Sequence, residues 1–404
     1  MSLSSFPPNR KPIPLLRFPQ LVRNEVFSNW DIFEIYQFST LSKVTKSISK
    51  QMKKPKTVMC LEPLGEYDKI TLTSKRGEEG DKWFKFSICP STEVWDKFLN
   101  EYDYFLRYGN YNYHPIFAES SIETFGSLVE HVQDVYAPDI EQVDFYNCSS
   151  RGIDEEELKS YLNWFNGYKQ LGKIPEIRVN ISGLAFKVFL ENWKLDVGTL
   201  IATPETSELC PVDFKVDHLR RTDCVKWVDF NVLRRFDCVE ASTDTNFSNE
   251  DMNLFLKDWK EGRSYHRAYW MDFLISERVK WKKILEGLDA ELRDLRTVKR
   301  TFRFNDNRQV WDYHGGFDIK RIDGKVATVG YCYFQVTENE PLRPEMLEEY
   351  DRVVRVWNSE DNDDEEEIED VIVVPEGVVD EQRYIESEKS ERRLGRYEFM
   401  MIVW

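Results

Sequence analysis

Residues 154–203, DEEELKSYLNWFNGYKQLGKIPEIRVNISGLAFKVFLENWKLDVGTLIAT, switch back and forth between two hydrophobic periods. The first fifteen residues read as a helix, with acids crowding its first turn as the helix dipole prefers. EIRVNIS (176–182) reads as a strand, GLAFKVFLENW (183–193) as a second helix and VGTLIAT (197–203) as a second strand. The same alternation extends outward in both directions. Residues 121–136 spell a helix with Phe125, Leu128, Val132 and Val135 on one face, followed by a strand at 141–147. Further on come a strand at 212–219, a helix at 226–236, a strand at 237–243 and a helix at 248–262. Ser248 and Asp251 form a capping pair for that last helix, and Gly262 ends it. A strand at 266–275 and a helix at 276–288 complete the series.

Short strands separated by helices imply a parallel sheet. Units recurring at roughly 20–35 residues suit a curved strand–helix solenoid of the leucine-rich type. No strict L-x-x-L-x-L consensus appears, so a single doubly wound sheet stands as the alternative. The fold expected is α/β: an N-terminal helical module, a strand–helix body with a mostly parallel sheet, and a small antiparallel C-terminal sheet. Ahead of the alternation, DKITLTS (68–74) and KWFKFSI (82–88) read as strands and 91–106 as a helix. From about 297 the chain turns antiparallel: TVKRTFRF, GFDIKRIDGKVATVGYCYFQV and the closing EFMMIVW all alternate, and Asp323-Gly324 marks a hairpin. EFMMIVW is too apolar to stand free and is expected to pair with the 317–335 hairpin.

The 404 residues allow two or three domains with sizeable cores. The net charge of −17 is unevenly spread. Residues 1–56 hold ten Lys/Arg against three Asp/Glu, and residues 358–391 hold two against fifteen. An acidic body argues against duplex nucleic acid as a partner. The basic run at 43–56 reads as a solvated helix face followed by a linker, with a nuclear address or a phosphate-seeking patch as alternatives. No apolar run approaches a membrane span, and the first twelve residues lack the apolar core of a signal peptide, so the expectation is an intracellular protein, cytoplasmic or nuclear, with no membrane contact. Seven cysteines, widely spaced and without a C-x-x-C pair, read as reduced thiols. The five histidines form no zinc pattern, and no G-x-S-x-G, Walker A or G-x-G-x-x-G occurs. The sequence therefore predicts no enzyme activity, no metal and no cofactor. In the acidic stretch, Val371, Ile372, Val373 and Val374 directly follow EDNDDEEEIED. Such a β-branched cluster behind acids resembles a SUMO-interacting motif, which adds a strand to another protein's sheet edge.

The front of the chain carries the other binding signal. Phe18, Val22, Val26 and Trp30 stand four apart, Asp31 and Glu34 form a capping box for a second helix, and Leu41, Val44 and Ile48 recur on a third. Three short helices in about 40 residues are marginal alone and must dock, on the chain or on a partner. PLLRFPQLV, EVF and IFEIYQFSTLSKVTKSI resemble an F-box, with Phe18-Pro19 where that family carries Leu-Pro. Residues 227–262, above all Asp251-Met252-Asn253-Leu254-Phe255-Leu256-Lys257-Asp258-Trp259, resemble the F-box-associated domain of a large nematode-type family. DIKRIDGKVATV and the final Val-Trp are similar to that family's ending, whereas the acidic excursion is unlike it. The resemblance covers the first 45 residues or so and about 205–275, and more loosely 297–335 and the C-terminus.

What the resemblance implies is a substrate-recruiting subunit of a Skp–cullin–F-box ubiquitin ligase. An F-box at 12–54 would bind the Skp-type adaptor and, through it, cullin. Its contact residues would be Leu15, Leu16, Phe18, Pro19, Val22, Val26, Phe33, Ile35, Phe38, Leu41 and Val44. A body at 57–296, holding the F-box-associated domain, would carry a protein substrate. Residues 297–404 would form the C-terminal sheet, with the acidic excursion at 358–393 disordered. A non-degradative interaction scaffold is the alternative.

Overall fold

In the computed structural model, the residues described are 17–65, 67–74, 82–101, 111–119, 121–145, 153–181, 183–203, 212–220, 228–245, 247–303, 310–331, 334–338, 340–359 and 397–404. They form a mixed α/β protein of two compact units, Met1–Asp144 and Phe145–Trp404.

The first unit opens with three short helices, α1 (Gln20–Ser28), α2 (Ile32–Thr40) and α3 (Lys43–Gln51). Local chemistry sets their boundaries. Asp31 and Glu34 cap α2 reciprocally, and Ser42 and Thr45 do the same for α3. Helix α1 stops at Ser28, so Trp30 does not continue its stripe; the indole packs on Phe27 and Phe38 at 4.8 and 5.2 Å. Strands β1 (Thr57–Glu62), β2 (Lys69–Ser74) and β3 (Lys82–Cys89) form an antiparallel meander. Helix α4 (Thr92–Glu101) leads to β4 (Tyr111–Phe117), which lies parallel to β3. Helix α5 (Ile122–Tyr136) leads to β5 (Asp139–Phe145), which lies parallel to β1. The sheet order in this unit is β5-β1-β2-β3-β4.

The second unit carries the strand–helix series: α6 (Glu155–Gly167), β6 (Ile174–Val179), α7 (Gly183–Asn192), β7 (Val197–Ala202), β8 (Phe214–Arg220), α8 (Phe230–Leu233), β9 (Phe236–Asp237), β10 (Glu240–Asp244), α9 (Asn249–Lys260) and β11 (Trp270–Ile275). Strands β6, β7, β8, β10 and β11 are neighbours in chain order and all parallel. A doubly wound sheet reverses its order at a switch point. This run does not reverse, which is the order of a strand–helix repeat. Buried rings from strand and helix interlock along it, with Phe145, Phe165 and Phe189 at one end and Phe247, Phe255 and Phe273 at the other.

Two expected helices shrink to one turn each, α8 and α10 (Trp281–Ile284). Phe236, read as the end of a helix, instead pairs with Phe214 in β9. Ahead of α10 the chain is held as a loop by Asn249, whose amide donates to Arg278 O and whose side-chain oxygen accepts from Lys280 N–H, at 2.9 and 2.8 Å.

Beyond α10 come β12 (Glu291–Arg293), β13 (Lys299–Arg303), β14 (Val310–His314), β15 (Gly316–Lys320), β16 (Val326–Gly330), β17 (Gln335–Thr337), α11 (Pro344–Asn358) and β18 (Tyr397–Val403). The small antiparallel sheet consists of β13, β14 and β17. Strands β15, β16 and β18 do not join it. They extend the parallel run, because β18 lies antiparallel between β11 and β16. The C-terminal strand does pair with the hairpin, as expected, and also with the body, so no boundary falls at 296/297. Gly324 sits in the hairpin turn at φ +95°, a conformation open to glycine. Helix α11 lies outside the sequence expectation, although Met346, Tyr350 and Val353 are spaced as one buried face and Pro344 opens its first turn.

Asp318 on β15 anchors a polar cluster where these strands meet. It accepts from both Nη atoms of Arg300, each at 2.6 Å, from Arg293 Nε at 2.7 Å and from Thr328 Oγ1 at 2.7 Å. Burial pushes its carboxyl up, but the hydrogen bonds from Arg300, Thr328 and Arg293 outweigh burial and hold it below its ordinary value. A carboxyl with a depressed folded value contributes stability above its unfolded value and loses it as pH falls.

Phe399, Met400, Met401 and Ile402 on β18 are at most 1% exposed. Phe399→Ala is expected to cost about 3–5 kcal/mol in denaturant unfolding of the second unit. Deleting 398–404 should cost more, since β11 and β16 both lose their partner. An unchanged unfolding midpoint after either change would contradict the central place of β18.

Candidate functional site

The three N-terminal helices have two faces of opposite character. The inner face belongs to the first unit's core. Ile32, Ile35 and Tyr36 of α2 are buried, as is Phe27 of α1. Phe33 lies among Phe84, Phe86 and His114, with ring centroids 5.1–5.3 Å away. Tyr36 packs on Phe86 at 4.8 Å and meets His131 edge-on at 5.4 Å. Phe38 closes against Phe27 and Trp30.

Polar contacts fix the register of this docking. Tyr136 of α5 donates its hydroxyl to Ile32 O at 2.6 Å. Ser39 donates its hydroxyl to Tyr36 O at 2.6 Å and lies 2.7 Å from His131 Nε2. Ser39 has one proton and gives it to the carbonyl, so His131 must carry its own proton on Nε2 and donate. Lys46 and Lys50 of α3 reach Asp134 of α5 at 2.9 and 2.5 Å. Burial, then Lys46, push the His131 value down, and Asp134 opposes them. Burial likewise lowers His114, against the pull of Asp31. Both imidazoles are therefore held neutral where α2 rests on them.

The outer face is apolar and open. Leu21, Leu41 and Val44 are 83, 74 and 61% exposed, and Phe18, Val22 and Val26 range from 36 to 44%. Single exposed apolar residues are ordinary. Here, however, six of the ten large exposed hydrophobics among the described residues fall between positions 18 and 44. Phe18, Leu21, Val22 and Val26 stand on or just before α1; Leu41 and Val44 stand at the turn into α3. Arg17, Lys43 and Lys53 are exposed close by in the chain.

This arrangement sorts the expected contact residues. Phe18, Pro19, Val22, Val26, Leu41 and Val44 are accessible. Ile35 is not, because it is 3% exposed on the core side of α2. Phe33 and Phe38 are half-buried and committed to rings of their own unit, so they too are removed from the contact set. Leu15 and Leu16 lie outside the described residues, as do Val371, Ile372, Val373 and Val374. Leu21 is the accessible residue that sequence reasoning missed; its signal was adjacency to Val22 in the same apolar burst.

In the second unit, the helix from Ser248 is built as its sequence suggests. Met252, Phe255, Leu256 and Trp259 are fully buried, and Asn253 donates its amide to Ile284 O and Glu286 O at 2.8 and 3.0 Å. These residues pack and brace the core. His218 Nδ1 and Glu240 Oε2 meet at 2.8 Å on adjacent parallel strands, both buried. Among the described residues no three His, Cys, Asp or Glu stand together as a metal site requires, and no helix is long and apolar enough to cross a membrane.

Compared with protein-family models and with curated proteins, the sequence matches none.

The neutral histidines give the docking a pH dependence. In the unfolded chain His131 takes up a proton near its ordinary value of 6.5, while the folded value is lower. Docking stability is therefore full above about pH 6.5 and falls as pH drops below it. The protection factors of the α2 amides, taken relative to intrinsic exchange at each pH, should fall between pH 7.5 and 5.5, and His131→Gln should flatten that change. Equal protection at both pH values would contradict the neutral tautomer.

Proposed function

We propose that this protein is a substrate-recruiting subunit of a Skp–cullin–F-box ubiquitin ligase, with α1–α3 as its F-box. The observation that supports this reading most is the two-faced build of those helices. Their inner residues are locked into the first unit, and their outer apolar residues are left uncovered. An element made for packing alone has no use for Leu21, Leu41 and Val44 in water.

The adaptor buries Phe18, Leu21, Val22, Val26, Leu41 and Val44. Full burial of an exposed side chain of this kind is worth about 1.5–3 kcal/mol; with these six on average about half exposed, covering them supplies about 5–10 kcal/mol. Association costs about 4–15 kcal/mol in lost freedom. The two are of the same size, which suits a reversible complex. The strand–helix body carries the target protein and raises its local concentration near the transferring enzyme. No residue of this chain takes part in bond making.

A variant with Phe18, Val22 and Val26 all changed to Glu should lose co-purification with a Skp-type adaptor and with cullin. Because the three side chains already face solvent, the circular dichroism and melting curve should stay close to those of the parent. Ile35→Glu, on the inner face, should instead unfold the module. Retained adaptor binding by the triple variant would refute the assignment. Adaptor binding without any co-purified protein whose ubiquitin content rises would refute the recruiting role while leaving the docking surface intact.

A further inference from the structure

We infer that Ser359 is a phosphorylation site for an acid-directed serine kinase, and that Lys282 is the receptor for the phosphoryl group. The first support is sequence. Ser359 is followed by Glu360-Asp361-Asn362-Asp363-Asp364-Glu365-Glu366-Glu367, seven acids in eight positions. A kinase whose substrate groove is lined with cations selects a hydroxyl flanked in this way, by charge complementarity alone.

The second support is structural and independent of those acids. Helix α11 ends at Asn358, and Ser359 is its C-cap, with φ −69° and ψ 151°. That backbone is already extended, the conformation a peptide adopts in a kinase groove, and the residue is half-exposed. Its hydroxyl donates to Val356 O at 3.0 Å. Lys282 on α10 donates to Ser359 O and to Ser359 Oγ at 2.8 and 2.9 Å. A cation thus stands at hydrogen-bond distance from the one oxygen that would carry the phosphate. Arg278 and Arg352 line the same small cleft, where Arg352 is held by the buried Glu349.

In the transfer, Ser359 Oγ bonds to the γ-phosphorus of ATP, the bond from that phosphorus to the β–γ bridging oxygen breaks, and ADP leaves. The hydroxyl proton passes to the kinase's base. The modified residue loses its bond to Val356 O and gains about 1.5–2 negative charges with three acceptor oxygens. The C-terminus of α11 opposes this with about half a negative charge spread over its last carbonyls. Lys282 more than offsets that repulsion: a full positive charge at contact distance outweighs the distributed dipole. The phosphoryl group then joins α11 to α10, which Asn253 already ties to α9 through Ile284 O.

The test uses the full chain with an acid-directed kinase and Mg-ATP, read by peptide mass spectrometry and by hydrogen exchange of the last turn of α11. The expected result is phosphoryl on Ser359, absent in Ser359→Ala, with slower exchange at 355–359 after modification. Replacing Glu360, Asp361, Asp363 and Asp364 by their amides should sharply slow labelling. Lys282→Ala should label normally and lose the slowing of exchange. Label on Ser387 or Ser390 but none on Ser359, or label on Ser359 that ignores the amide changes, overturns the site. Slowed exchange that persists in Lys282→Ala overturns the receptor.

Discussion

The contact between α2 and its own unit is the constraint on which the N-terminal surface depends. Phe33 and Tyr36 enter a floor made by Phe84, Phe86 and His114, and Tyr136 and His131 fix the helix from the side. A helix of nine residues has little stability of its own. Held in this way, it orients α1 through Phe38 and Phe27, while the Lys46–Asp134 and Lys50–Asp134 pairs tie α3 to α5. The outer residues can then be apolar without the module collapsing on them, because the inner ones have already taken the core. The outer face is therefore preformed, with little left to order.

The second unit relies on a different device. Its parallel run would end at β11 with an open edge, and β18 closes that edge. The junction is then pinned by charge. Asp318 gathers Arg293, Arg300 and Thr328, while Trp404 donates its indole N–H to Thr328 Oγ1 at 2.8 Å and lies under the Arg300 guanidinium. A buried carboxylate with this many donors is worth keeping only if none is lost, since a single missing partner leaves a desolvated charge.

The elements most legible in the sequence were those whose burial follows a single period. Helix α9 is one, with a cap at Ser248, a stop at Gly262 and Met252, Phe255, Leu256 and Trp259 inside. Strand β18, apolar throughout, is another. Elements fixed by tertiary contacts were not legible. The segment before α10 has helical spacing, but Asn249 holds it as a loop from another part of the chain. Strand β4 carries no clear alternation and is placed by its partner β3. At the candidate site, periodicity located the helices but not their sides. Ile35 and Val22 look equivalent in sequence, and only the position of α5 and the β3–β4 floor makes one inner and the other outer.

The place of β18 also has a consequence for how the chain is made. Met400 meets Trp270 across 130 residues of sequence. As the chain emerges from the ribosome, β11 and β16 are complete long before the strand that joins them exists. Through that interval both present unpaired backbone edges with Met271, Phe273 and Val329 alongside. The second unit therefore cannot complete its sheet until β18 has emerged, and its nascent form is the state that chaperones must shield from edge-to-edge association.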